Sequence, residues 1–142
     1  MRREPVPIPA DMLAFNRTLI AEYRANAGQL SGRMAGRSLL LLTTTGARSV
    51  QPRTTVLGFG IQGTDYIVIA SGNGAPDHPA WYVNLLANPV ATVEVNANKF
   101  ETRARTAEAH ERERLGAVVP WLESQQKLTS REIPIVVLSR VG

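Results

Sequence analysis

Two stretches of this chain carry residues whose types and spacing suit the holding of a flat, anionic ligand. The first runs Thr43-Thr44-Thr45-Gly46-Ala47-Arg48-Ser49-Val50-Gln51-Pro52-Arg53. Gly46 permits a tight turn after a strand, and Arg48 and Arg53 then flank that turn. Two guanidinium groups so placed can aim at one anion, with Ser49 and Thr55 adding hydroxyl donors. The second stretch begins Ser71-Gly72-Asn73-Gly74-Ala75, after a β-branched run from Tyr66 to Ala70. Its small residues let a planar ring approach the backbone N–H groups closely. A helix started by Pro79 follows, carrying Trp81 and Tyr82, and its first turn offers further main-chain donors. Taken singly, these features also suit a solvated arginine turn, a flexible connection and a core tryptophan.

Other chemistries are poorly supplied. Cysteine is absent, which removes disulfides, thiolate nucleophiles and sulfur-ligated clusters. His78 and His110 are far apart, and no cluster of His, Asp and Glu has metal-ligand spacing, so no metal is expected. His110 reads as a surface residue. His78, beside the small-residue loop, is a candidate proton shuttle. There is no Walker loop, and the Gly-rich stretch is not the dinucleotide fingerprint. The sequence names no catalytic residue. The net charge is +4, and Lys99 and Lys127 are the only basic residues that are not Arg. These charges are scattered with no aromatic-basic stripe or helix-turn-helix pattern, so no nucleic-acid partner is expected. No apolar run is long enough for a membrane span, and residues 1–10 lack a secretory core. A cytoplasmic location follows as the simplest expectation.

The elements that must position these residues can be read from periodicity. At 142 residues a single domain is expected, with 1–30 as a mobile N-terminal segment plus helix and 37–140 as a barrel. Met1 to Pro9 carries three prolines and reads as extended and mobile. Asp11 caps an expected helix to about Ala27, ended by Gly28, with Met12, Phe15, Leu19 and Tyr23 at helical spacing. The helix is read as docked on the barrel; the alternatives are an adjustable cover over the pocket and a peripheral membrane contact. Expected strands are Arg37–Thr45, Arg53–Ile61, Tyr66–Ser71, Val90–Ala97, Lys99–Thr106 and Ile133–Arg140. Leu39 to Leu42 is too continuous for a one-sided sheet. Arg53–Ile61 and Tyr66–Ser71 are expected to form a hairpin. Helices are expected at Pro79–Ala87 and at Ala107–Val119, with Pro120 kinking the second, which ends near Leu128. Arg105 reads as a solvated strand residue. About six strands with short connections imply antiparallel pairing, hence an α+β barrel.

The two loops, the Val93-Glu94-Val95 strand and the block Arg131-Glu132-Ile133-Pro134-Ile135-Val136-Val137-Leu138 stand in register over residues 36 to 138. Together they resemble the deazaflavin (coenzyme F420)-dependent nitroreductase family of actinobacteria. The resemblance implies an FMN-binding-barrel-like split β-barrel and hydride transfer from reduced coenzyme F420, an 8-hydroxy-5-deazaflavin, to a quinone, activated enone or nitroaromatic. It implies cofactor contacts at Arg48, Ser49, Arg53, Thr55, Leu57, Gly58, Ile69, Ala70, Ser71, Gly72, Asn73, Gly74, Ala80, Trp81, Tyr82 and Asn84. Asn84 would bond the ribityl chain or fix the neighbouring loop. The chain departs from the family pattern at Ala47 and Gly72, where members commonly carry a basic residue, and at Val50, where they carry Gly. The tyrosines with which nitroreducing members line the acceptor side are missing from Val119–Gln126, and Gly58 stands at the strand position of another, leaving a gap in that wall. An FMN-dependent split-barrel oxidoreductase and a non-catalytic deazaflavin carrier are the alternatives. The expected partner is a small-molecule acceptor, and the expected state is a monomer or homodimer.

Overall fold

The computed structural model describes residues 10–30 and 37–141 and, within the first helix, side chains from residue 16 onward. Seven strands are described: β1 Leu39–Thr45, β2 Pro52–Gly58, β3 Gly60–Gln62, β4 Asp65–Ile69, β5 Val90–Val95, β6 Asn98–Thr106 and β7 Ile135–Arg140. The helices are α1 Ala10–Ala25, α2 Ala80–Ala87, α3 Arg112–Gly116 and α4 Trp121–Gln126, with 3-10 turns at Gly72–Gly74 and Ala109–Glu111. Met1 to Pro9, and the side chains of Asp11, Met12 and Phe15, lie outside the described set.

The strands form one sheet in the order β2-β1-β5-β6-β7-β4-β3, and every neighbouring pair is antiparallel. β2 and β3 are the two outermost strands, yet Phe59 alone joins them. The opposite edges of the sheet are therefore brought together by one residue, and the sheet curls into the split barrel. This division also accounts for seven strands where six were expected. The segment from Arg53 to Ile61 pairs first with β1, from Thr45↔Pro52 to Leu39↔Gly58, and only its end pairs with β4, from Gly60↔Ile67 to Gln62↔Asp65. Gly60 permits the crossing, because a Cβ there would collide with the Val118 carbonyl.

The barrel interior holds Leu40, Leu42, Val68, Ala70, Val93, Val95, Phe100, Val136 and Leu138, together with Trp81, Tyr82 and Leu85 of α2. The outer face of β4 and β7 is apolar too. Ile67, Ile69, Ile135 and Val137 lie under Leu115, Val119 and Ile133. Strands covered on both faces read as continuous apolar runs. In β1 the same logic holds: Leu40 and Leu42 face inward, and Leu41, in register with Glu94, faces outward beside α1. Burying each such leucine contributes about 1.5–3 kcal/mol.

α1 is part of the barrel wall. Leu19 and Tyr23 are buried. The Tyr23 hydroxyl reaches the carbonyls of Leu39 at 2.8 Å and Glu94 at 3.2 Å and accepts the Asn96 N–H at 2.8 Å. Burial pushes its phenol above the ordinary tyrosine value. Arg24 donates to both Glu94 oxygens, at 3.0 and 2.8 Å. These contacts fix the helix on the outer face of β1 and β5, which removes the adjustable-cover reading for its described turns.

The expected helix from Ala107 is broken into a 3-10 turn, α3 and α4. Glu111 is the reason its start is tight. It accepts the Glu108 N–H at 3.0 Å and closes a capping box. Arg105 grips the same carboxylate at 2.7 and 3.0 Å, so Arg105 is solvent-exposed, as expected, but also ion-paired. The Arg105 hydrogen bonds first, and the Glu108 N–H second, draw the Glu111 carboxyl from 4.5 down to about 2.

Candidate functional site

The β1–β2 loop, the β4–α2 loop and α2 gather at one end of the barrel. The β1–β2 loop is closed by Gly46 N–H to the Gln51 carbonyl at 2.8 Å and Val50 N–H to the Gly46 carbonyl at 3.0 Å. Val50 has φ +58°, a left-handed conformation that costs a β-branched residue energy, which explains why glycine suits that position. Ser49 is exposed and its Oγ accepts the Gln51 N–H at 3.3 Å. Arg48 and Arg53 are exposed and, among the described residues, pair with no carboxylate. No acidic residue occurs between Gly46 and Thr64, so the loop keeps its positive charge available.

Register aligns the β2 side chains. Arg53, Thr55 and Leu57 stand opposite Thr44, Leu42 and Leu40 and share their inward face, with Arg53 at the open end. Gly58, one residue further, belongs to the other face. A Cβ on Gly58 would lie 3.5 Å from Trp121 Cζ2, so the Trp121 indole fills the gap expected there. Ile69 likewise faces outward, packed with Leu115 and Ile133, whereas Ala70 faces in.

The β4–α2 loop is held open by an unusual backbone. Gly72, Asn73 and Gly74 have φ of +56°, +57° and +78°, three consecutive left-handed residues. Gly74 donates to the Ser71 carbonyl at 3.0 Å and Ala75 to the Gly72 carbonyl at 3.2 Å. The N–H groups of Gly72 and Asn73 donate to no protein group among the described residues. Gly74 also cannot be replaced, because a Cβ would run into the Leu128 side chain.

α2 ties the two loops together. Trp81 and Tyr82 are buried in the barrel core, and Ala80 is exposed at the helix start. The Tyr82 hydroxyl bonds Thr106 Oγ1 at 2.7 Å. Asn84, 7% exposed, accepts the Ala47 N–H at 2.9 Å and donates to Thr44 Oγ1 at 3.1 Å. Of the two roles expected for Asn84, both side-chain atoms are therefore engaged in the second, fixing the loop.

One residue of this site has no expected role in it. Arg131 donates from Nε to the Ala75 carbonyl at 2.9 Å and from Nη2 to the carbonyls of Ser71 at 2.8 Å and Ala70 at 3.1 Å. Its Nη1 lies 3.1 Å from Nδ1 of His78, whose ring meets the Tyr82 ring edge-on at 5.0 Å. A guanidinium can only donate, so Nδ1 of His78 is the acceptor in this contact. The only sequence signal for Arg131 is its place at the head of the block that precedes the last strand.

Three comparisons bear on this geometry. The family model described as F420H(2)-dependent quinone reductase matches residues 15–140. The chain belongs to the F420H(2)-dependent quinone reductase family. It is 39% identical over 128 residues to the F420H(2)-dependent quinone reductase of Mycobacterium tuberculosis strain H37Rv, covering 84% of this chain and 86% of that protein. Among solved structures it resembles the F420-H2 dependent reductase FDR-A, with a TM-score of 0.64 and 33% identity, over 72% of this chain and 95% of the other. It also resembles a protein described as a domain-swapped dimer, with a TM-score of 0.66 and 30% identity, over 92% and 99% of the two chains. The family match spans β1 to β7, so both loops, α2 and Arg131 lie inside it. Among the described residues no group of His, Asp and Glu could hold a metal, and no helix is long and apolar enough to cross a membrane.

Proposed function

We propose that the chain transfers a hydride from reduced coenzyme F420 to a quinone-type acceptor at the end of the barrel where the two loops meet. The bound cofactor supplies the hydride, and the acceptor gains that hydride and a proton taken from solvent. Everything assigned to the protein is binding, orientation and exclusion of water, since the cofactor carries the chemistry. Arg48 and Arg53, with Ser49 and Thr55, hold the cofactor's phosphate. The N–H groups of Gly72 and Asn73 bond the polar edge of its ring, and Trp81, Ala70 and Leu57 shape the apolar wall. Asn84 acts on the cofactor only through the Arg48 loop.

The observation that carries this reading is the arrangement of α2. The helix emerges from the loop with the unused N–H groups, and its Asn84 grips Ala47, next to Arg48. Anion donors and ring donors are thereby held by one rigid element. In this reading the chain acts in the cytoplasm or at a membrane surface, on a small molecule, as a monomer or homodimer. Fluorescence titration with F420 and FMN tests the reading. F420 is expected to bind at least tenfold more tightly, a difference of about 1.4 kcal/mol. Equal or tighter binding of FMN would overturn it, and binding of F420 without acceptor-dependent oxidation would identify a carrier.

A further inference from the structure

We propose that Arg131 is a positioning residue that holds the 70–78 segment in its ligand-ready form, with His78 as its latch to α2. The proposal rests on the reading above that this segment binds the cofactor ring. Four of the five guanidinium N–H donors are engaged, with the carbonyls of Ala70, Ser71 and Ala75 and with His78 Nδ1. A backbone with three left-handed residues in succession does not hold itself, since each such turn is costly or entropically unfavourable outside a fixed frame. Arg131 supplies the frame by drawing three carbonyl oxygens to one centre. The carbonyls that flank that turn, of Ala70, Ser71 and Ala75, are thus gathered on the Arg131 side, while the N–H groups of Gly72 and Asn73 take no protein acceptor among the described residues.

Arg131 is itself anchored from behind. Gln126 of α4 donates to the Arg131 carbonyl at 2.6 Å and accepts the Ile133 N–H at 2.9 Å. Arg112 donates to the Ile133 carbonyl at 2.9 Å. A chain of hydrogen bonds therefore runs from α3 and α4, through the segment before β7, to the loop and His78, whose ring packs edge-on against Tyr82 of α2. The planar fork is what this task requires. A lysine at the same place keeps the charge and can satisfy one or two carbonyls, but it cannot span Ala70, Ser71, Ala75 and His78 at once.

The test compares Arg131→Lys and His78→Ala with the unaltered protein by amide hydrogen exchange and by F420 titration. For Arg131→Lys, exchange at the hydrogen-bonded amides of Gly74 and Ala75 is expected to rise and F420 affinity to fall, each roughly ten- to a hundredfold, with exchange in β1, β5 and β6 unchanged. A merely structural role would instead speed exchange across the whole sheet. His78→Ala removes one contact and should give a smaller change of the same kind, which His78→Asn restores through its carbonyl oxygen. If Arg131→Lys does not fold, the His78 pair decides the matter alone. Unchanged exchange at Gly74 and Ala75 in the folded variants overturns the proposal. Exchange that rises while F420 affinity stays within twofold overturns the link to the ligand but leaves the clamp. If the unaltered protein binds no F420, the reading of the site fails, and the exchange result still judges Arg131.

Discussion

Replacing Asn84 by alanine separates the two roles expected of that residue. The side chain is almost fully buried and bonds Ala47 N–H at 2.9 Å and Thr44 Oγ1 at 3.1 Å. Its loss forfeits two neutral hydrogen bonds and leaves the buried Thr44 hydroxyl without its donor and the part-buried Ala47 N–H without its acceptor. With about 1 kcal/mol for each bond and a further desolvation penalty for the orphaned groups, the cost comes to about 2–3 kcal/mol. For a domain of this size that lowers the melting temperature by roughly 6–12 °C. The local consequence is sharper than the global one, because Ala47 precedes Arg48 and the loop from Gly46 to Gln51 loses its only described tie to α2. Thermal melts followed by circular dichroism give the first quantity, and exchange at the Ala47 amide gives the second. F420 affinity should fall about tenfold or less, since Arg53 sits on the strand rather than in the loop. An unchanged melting temperature together with a large loss of F420 affinity would refute the reasoning, for it would mean that Asn84 touches the cofactor and not the loop.

Four further outcomes are expected. Arg53→Ala should weaken F420 binding by roughly ten- to a hundredfold, as loss of a charge-assisted phosphate contact requires, while Arg103→Ala on the outer face of β6 should leave titration curves unchanged. Val50→Gly should raise the melting temperature by a few degrees, because relief of about 1–2 kcal/mol of left-handed strain exceeds the added chain entropy of glycine. Glu111, ordinarily near 4.5, is held at about 2 in the fold, so its contribution to stability is full above 4.5 and is lost as the pH falls toward 2; urea midpoints of Glu111→Gln should therefore show a shallower decline across that window. Side-by-side turnover should favour a menadione-type quinone and a cyclohexenone over a bicyclic nitroimidazole, because Val119–Gln126 brings no phenol to the acceptor side; equal turnover of the nitroimidazole would show that those tyrosines do not matter.

The sequence discloses what local chemistry governs and conceals what long-range pairing decides. Gly72 and Gly74 announce a turn because glycine best tolerates the left-handed backbone there, and Gly46 announces one because a Cβ would crowd the Ser49 side chain. The leucine run of β1 announces a strand covered on both faces, and the structure supplies the two covers, α2 with the core inside and α1 outside. Phe59 announces nothing. Its role in joining the two sheet edges depends on where β1 and β4 lie, which periodicity cannot say. Arg105 and Glu111 are six apart in the chain, across a strand-to-helix junction, and so escape the spacing rules that find helical ion pairs. Arg131 is the clearest case at the site. It works on residues 53 to 61 positions away, and an arginine before a strand looks the same whether it is solvated or gathering carbonyls.

The most direct measurement of the central claim is anaerobic single-turnover mixing of the protein, preloaded with reduced F420, against a menadione-type quinone, with the absorbance of the oxidised deazaflavin followed in time. The account predicts full oxidation of the bound cofactor in step with quinone reduction, none without quinone, and a markedly reduced amplitude for Arg53→Ala at the same concentrations. Cofactor that binds and stays reduced in the presence of quinone, or oxidation that proceeds equally with the Arg53 variant, would contradict it.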